Sequence, residues 1–385
     1  MKIAFTTICI NPSFPIKQSG FIQQVKPIYN FHDDLHARIL AIDDGDKIIY
    51  HISVDSLGFP IMLQDSLKEI LVRKYNRTIE VIISATHTHF AGDNKDVRYI
   101  GEVSKKLLYA IDYLEFVESD EFRIAYQCIP FTKVGTSRIS NHNADVLLQL
   151  FTIYNGEIPF ISMIVHNCHP TILHGDTPYF SSEYPGYVIS ELKKRMPNTN
   201  FTFIQGAAGD VSSRFTRPSQ DYQAVMDLGN KLVNEIERLM DEEKEIVDFD
   251  KVNYDFSILP LIHEFNPIDL SQIPDNLSDR EKETIATGVR VREILAENLH
   301  TLDHQVMISK LDFGKYTIVF CPNEAFSSYI DSIDISKAAL GCYSNGYSPY
   351  ITGINDNFIT YEKFTDTYTV DTKVKYMEIL RKYGK

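Results

Sequence analysis

Two histidines one residue apart, His87 and His89 in "VIISATHTHFAGD", follow an apolar run that reads as a buried β-strand. Neutral imidazoles are common metal ligands. On an extended strand, side chains two apart point the same way, so both rings could meet one target at the strand's end. Three further strand ends carry residue types that chemistry uses. His169 follows the strand in "MIVHNCHPT", just before Pro170. Asp210 and Ser212 follow the small residues of "FIQGAAGDVSSRF", where a backbone can approach a ligand closely. Glu324 follows the strand in "IVFCPNEAF", and "YSNGYSPYITG" adds Tyr347 and Tyr350.

Singly, each of these has an ordinary structural role: a carbonyl-bonded histidine, a tightly packed turn, a helix-capping glutamate, surface tyrosines. His166 and His174, which flank His169, carry no further role. The coincidence of several strands ending in His, His, Glu and a glycine-rich turn is what points elsewhere. Two imidazoles and a carboxylate suit a catalytic zinc that keeps one position open.

The elements that must position these residues alternate between short apolar strands and amphipathic helices, which makes an α/β chain with a mixed β-sheet core flanked by helices. "ARILAIDDGDKIIYHISVDSL" predicts a hairpin turning at Asp43–Asp46. "IMLQDSLKEILVRKY" and "VRYIGEVSKKLLYAIDYLEF" have helical spacing. "SSEYPGYVISELKKRM" predicts a helix with Ser at its start and Pro185 in the first turn. Residues 248–277 read as an irregular, proline-containing excursion. Ser278 and Glu281 form a capping box for the helix that follows. No internal repeat is visible.

Composition narrows the function classes. The 385 residues carry a formal net charge of −14, which repels nucleic acid and anionic membrane surfaces. Five scattered cysteines without a C-x-x-C pair argue against a disulfide framework or a thiolate zinc site. The amino terminus reads as a first strand rather than a signal peptide, and no run approaches a membrane span, so the expected location is the cytoplasm, with no stable membrane anchor.

Read in order, these segments resemble the neutral, non-lysosomal ceramidase family and its shorter bacterial relatives. "FHDDLHARILAIDDGD", "SATHTHFAGD", "HNCHPT", "QGAAGDVSS", "CPNEAF" and "SNGYSPYIT" are each similar to a family segment, in the same order, from residue ~30 to ~360. The resemblance implies a single catalytic domain over 1–385, rather than the two or three that length alone suggests, with 248–277 an excursion within it. It implies a zinc ion held by His87, His169, Glu324 and Tyr350, with Tyr347 the alternative for the last. His89 would face the substrate and the tetrahedral intermediate, Ser212 would be nucleophile or supporting group, either of the two could steady the oxyanion, and His32 and Arg138 would bind substrate. The activity implied is hydrolysis of an amide in a small or acylated N-acyl compound by zinc-activated water. An esterase or lactonase, or a metal-containing binding protein, is the alternative. "HTHFAGD" and "VSSRF" depart from the family beside the pocket, so long-chain ceramide is expected to be a poor substrate.

Overall fold

The computed structural model describes residues 1–20, 26–139, 142–265, 277, 279–356 and 359–385. One strand plan recurs three times along it. In the first copy β1 (Lys2–Cys9), β2 (His36–Asp43) and β3 (Lys47–Val54) pair antiparallel. Helix α1 (Ile61–Tyr75) crosses over so that β4 (Thr78–Ala85) joins parallel to β3. Helix α2 (Val97–Asp112) then leads to β5 (Val117–Glu118), which returns to β1. The second copy follows the same route. β6 (Phe122–Pro130), β8 (Leu147–Asn155) and β9 (Ile158–His166) are antiparallel, and α3 (Glu183–Arg195) carries the chain to β10 (Asn200–Gln205), parallel to β9. Helix α4 (Tyr222–Asp241) then leads to β12 (Ile246–Asp248), paired with β6. The third copy runs β13 (Asn253–Pro260), β14 (Gln305–Asp312) and β15 (Thr317–Phe320), with β17 (Ala338–Gly341) parallel to β15. Helix α5 (Asp279–Glu297) lies between β13 and β14, and α6 (Tyr361–Thr365) and α7 (Val370–Gly384) close the chain. Since the sequence carries no repeat, the recurrence is one of topology.

The three sheets share one core. Leu40, Ile49 and Ile82 of the first meet Ile124, Phe151 and Ile164's neighbours Met163 and Val165 of the second, and Leu311, Ile318 and Phe320 of the third. The outer face of the first sheet packs under α1 and α2, and that of the second under α3 and α4. Burial on both faces explains why β2 and β3 read as nearly continuous apolar runs rather than alternating ones. The parallel pairs stand side by side: Cys342 N–H donates to Gln205 O (2.8 Å), Ala85 N–H to Tyr343 O (2.9 Å), and Ser53 Oγ to Phe203 O (2.5 Å). Their carboxyl ends therefore gather at one end of the molecule, where open α/β sheets tend to hold ligands. Two short ribbons lie in these loops, β7 (Thr136–Ser137) with β11 (Val211–Ser212) and β16 (Asn323–Ala325) with β18 (Ser348–Ile351). Among the described residues no helix is long and apolar enough to cross a membrane.

The hairpin and helices expected from the sequence form as read. Two readings need correction. Residues 253–260 are not irregular: they form β13, in register with β14 from Asn253↔Asp312 to Pro260↔Gln305. As an edge strand it tolerates Pro260, which has no N–H to give, and it leaves Phe256 and Ile258 exposed. Ser182 precedes α3 but its hydroxyl does not cap it. It donates to Asp33 instead, and the first-turn Glu183 carboxylate accepts from Tyr184 N–H (2.9 Å). The capping box at Ser278 and Glu281 lies outside the described residues.

Candidate metal centre

His87, His89, His169 and Glu324 meet where the three parallel pairs end. β4 stops at Ala85, and Thr86 N–H still donates to Val54 O (2.9 Å). His87 then takes a left-handed backbone (φ +65°) that few non-glycine residues adopt. The two histidines thus converge because the chain leaves the strand and turns, not because of strand alternation. His87 is fully buried, its ring stacked 3.9 Å from that of Tyr343. His169, also fully buried, follows β9, with its N–H on Val211 O (3.2 Å). Glu324 sits on β16 and is 5% exposed. His89 is partly exposed.

Each ring is oriented by its Nδ1. His87 Nδ1 lies 2.8 Å from Leu57 O, His169 Nδ1 2.6 Å from Ala208 O, and His89 Nδ1 3.2 Å from Gly20 O. A carbonyl only accepts, so Nδ1 carries the proton in each ring and every Nε2 presents a lone pair. These Nε2 atoms face one another: 3.1 Å separates His87 from His169 and 3.3 Å separates His89 from His87. Glu324 Oε2 lies 3.1 Å from His169 Nε2 and 3.4 Å from His87 Nε2. Lone pairs crowded in this way repel unless a cation lies among them. Tetrahedral ligands about 2.0–2.1 Å from a zinc ion stand roughly 3.3 Å apart, so the donor set fits that ion.

The protonation states agree. Burial pulls the His169 imidazole down to about 4, with the charge of Arg138 adding to the effect. Burial also holds His89 well below the ordinary histidine value, with His87 and His169 beside it contributing. Burial alone would raise Glu324, but positive charge at the His87 and His169 rings holds its carboxyl well below the usual range, and a cation among neutral rings would supply the same charge. Neutral imidazoles and an ionised carboxylate are the ligand forms.

The remaining candidates fall around this cluster. Tyr347 donates its hydroxyl to Glu324 Oε1 (2.6 Å), whereas Tyr350, paired with Glu324 along the ribbon, lies under Arg138 (5.3 Å to the ring centroid) with its ring 6.4 Å from that of His169. The tyrosine hydroxyl bonded to the cluster is therefore that of Tyr347. Arg138 donates to Glu362 Oε1 (2.7 Å) and to Gly209 O, so the protein itself already occupies it. Ser212 runs beside His169 and is 7% exposed; its Oγ accepts from Arg214 N–H (3.3 Å), and no base among the described residues is bonded to it. Asp210 accepts from the N–H (2.7 Å) and the hydroxyl (2.8 Å) of Ser327, which ties the glycine-rich turn to the Glu324 segment. His32 is half-exposed on Tyr222 (3.5 Å between centroids) and Asp33, without direct contact to the imidazoles.

Sequence reasoning missed Tyr343, Glu362 and the carbonyls of Leu57 and Ala208. Backbone carbonyls leave no signature, and Glu362 lies 224 residues from its partner Arg138. Two glycines complete the walls. A Cβ on Gly58 would stand 2.4 Å from the Tyr347 ring, and one on Gly209 2.7 Å from Glu324 O.

Compared by sequence, the chain matches no family model and no curated protein. By structure it matches ceramidases. A ceramidase complexed with C2 aligns with a TM-score of 0.73 at 12% identity, over 99% of this chain and 74% of that one. The neutral ceramidase from Pseudomonas aeruginosa aligns with a TM-score of 0.72 at 14% identity, over 99% of this chain and 73% of that one. The chain has a neutral-ceramidase-like fold.

Proposed function

We propose that this protein is a zinc-dependent hydrolase of an amide bond in N-acyl compounds, attacking with activated water. One observation carries the reading. At the end of a neutral-ceramidase-like fold, three Nε2 lone pairs and a carboxylate converge within 3.1–3.4 Å contacts. His87, His169 and Glu324 would hold the ion, and Tyr347 would complete the set or keep Glu324 in place. A zinc ion bound there would lower the pKa of a water to about 7 and polarise the acyl carbonyl.

The residues around it have distinct work. His89 is the most exposed of the three imidazoles and has its Nε2 free of a proton, so it is suited to take the proton from the attacking water and pass it to the leaving amine. A ring protonated at Nδ1 has no Nε2–H to offer an oxyanion until it has taken that proton. Among the described residues no base is hydrogen-bonded to Ser212, which would serve as a pocket wall. Arg138, neutralised by Glu362, makes no demand for an anionic substrate. The partner is thus a small or acylated neutral molecule and not a nucleic acid.

The test is a panel of fluorogenic N-acyl and O-acyl substrates with and without a chelator. Chelator-sensitive amide cleavage supports the reading. Cleavage of esters alone would make the protein an esterase or lactonase, and turnover of neither would leave a metal-containing binding protein. Ceramide in micelles, cleaved as fast as the best soluble amide, would overturn the expectation of a soluble substrate.

A further inference from the structure

A second site lies apart from the metal centre. A cavity of about 400 Å³ opens between Ala144–Leu147 and Ile330–Ile335. Its size falls within the range of ligand pockets, roughly 300–1,000 Å³. None of His87, His89, His169 and Glu324 lines it. Its walls are apolar: Val146, Leu147, Ile330 and Ile333 are at most 7% exposed, and Ile335 stands at the mouth, 40% exposed. The polar groups that converge on it include two exposed carboxylates, Asp145 and Asp331. Most charged side chains near the second sheet are paired, for example Glu235 with Lys133 and Arg238. Neither Asp145 nor Asp331 has an ion-pair partner among the described residues.

We propose that this cavity binds an amphipathic ammonium ion, its alkyl tail against the isoleucines and its charged head between the two aspartates. The argument is complementarity. An apolar pocket rewards a tail by burial. Two carboxylates without a cation at the rim favour a positive head and exclude a fatty acid or phosphate ester. A primary ammonium offers three N–H donors to the carboxylates at the rim. The inference is independent of what the metal centre does.

Calorimetric titration of the full-length protein with octylammonium, octanol and octanoate tests it. Octylammonium is expected to bind saturably, octanol at least about fivefold more weakly, and octanoate not at all. Replacing both carboxylates (Asp145→Asn with Asp331→Asn) should weaken octylammonium about fivefold to tenfold, the order expected for two exposed ion pairs. The control Asp120→Asn with Asp250→Asn removes two exposed carboxylates outside the cavity and should change nothing. Ala144→Phe, which fills the cavity, should abolish binding. Equal binding of octanol, an unchanged affinity in the Asp145/Asp331 variant, or an equal loss in the control would each overturn the proposal. So would loss of binding in His87→Asn, which would locate the ligand at the metal centre.

Discussion

The Nε2 atoms of His87 and His169 stand 3.1 Å apart, and both are the unprotonated nitrogens of their rings, because Leu57 O and Ala208 O hold the protons on the other side. Left alone, the pair is repulsive. A divalent cation would convert that repulsion into two coordinate bonds, so the arrangement favours a loaded site. The protein purified without chelator should carry about one zinc per chain. Removing it should lower the melting temperature, and restoring it should raise it. His169→Ala and His87→Asn should both lose the metal, and elemental analysis reads the outcome. Asparagine is the better replacement at residue 87 because it accepts the left-handed backbone.

His89→Ala separates ligand from base. If His89 moves the proton, the variant keeps one zinc per chain and loses about 10²–10⁴ in kcat. If it loses the metal together with the rate, His89 is a ligand and the division of labour proposed above is wrong.

Ser212→Ala should retain measurable turnover, and the wild type incubated with a slow substrate should show no acyl-serine by mass spectrometry. The reason is that, among the described residues, Ser212 Oγ accepts from Arg214 N–H and meets no group that would take its proton. An adduct on Ser212 would make the hydroxyl the nucleophile.

The Arg138–Glu362 pair is nearly buried, at 19% and 10% side-chain exposure. Glu362→Gln leaves a guanidinium without its counter-charge and should cost about 3–5 kcal/mol in denaturant unfolding. Adding Arg138→Met should recover a large part of that loss. A single variant as stable as the wild type would show that the pair is not what holds this wall.

Acid should weaken the fold through its buried histidines, against the opposing pull of Glu183, whose buried carboxyl is raised to about 7. Burial lowers His51 and His166 from the ordinary 6.5 to about 4. The folded form therefore binds fewer protons than the unfolded chain between those values. The stability is present in full above pH 6.5 and is lost as pH falls towards 4, by about 3 kcal/mol for each residue. Unfolding free energies measured from pH 7.5 to 4.5 should show this slope, and His51→Gln should remove about one proton's share of it.

How much of this the sequence disclosed depended on the range of the interaction. The hairpin at Asp43–Asp46 and helices α1 and α2 are specified by neighbours a few residues away, and they were legible. The convergence of His87, His169 and Glu324 was visible as a set of strand ends carrying ligand-type residues. The cause of the His-x-His convergence was hidden, since a positive φ at His87 is set by its surroundings and not by its own preference. Tyr347 and Tyr350, three residues apart in one loop, could not be told apart until the ribbon fixed which hydroxyl meets Glu324. β13 had a period-two signal in Tyr254, Phe256 and Ile258, masked by prolines that an edge strand tolerates. The threefold strand plan left no trace because each copy fills its core with different apolar residues.

The close approach of Tyr347 to Gly58 and of the Glu324 carbonyl to Gly209 has a bearing on how such a centre drifts. The ligands can be inspected by chemistry, but these two positions contribute only a hydrogen atom where any larger substituent would push Tyr347 or the Glu324 backbone aside. A saturation-mutagenesis screen for metal content should therefore find two intolerant positions that coordinate nothing. Attempts to transplant the centre onto another scaffold would have to carry these two glycines along with the histidines.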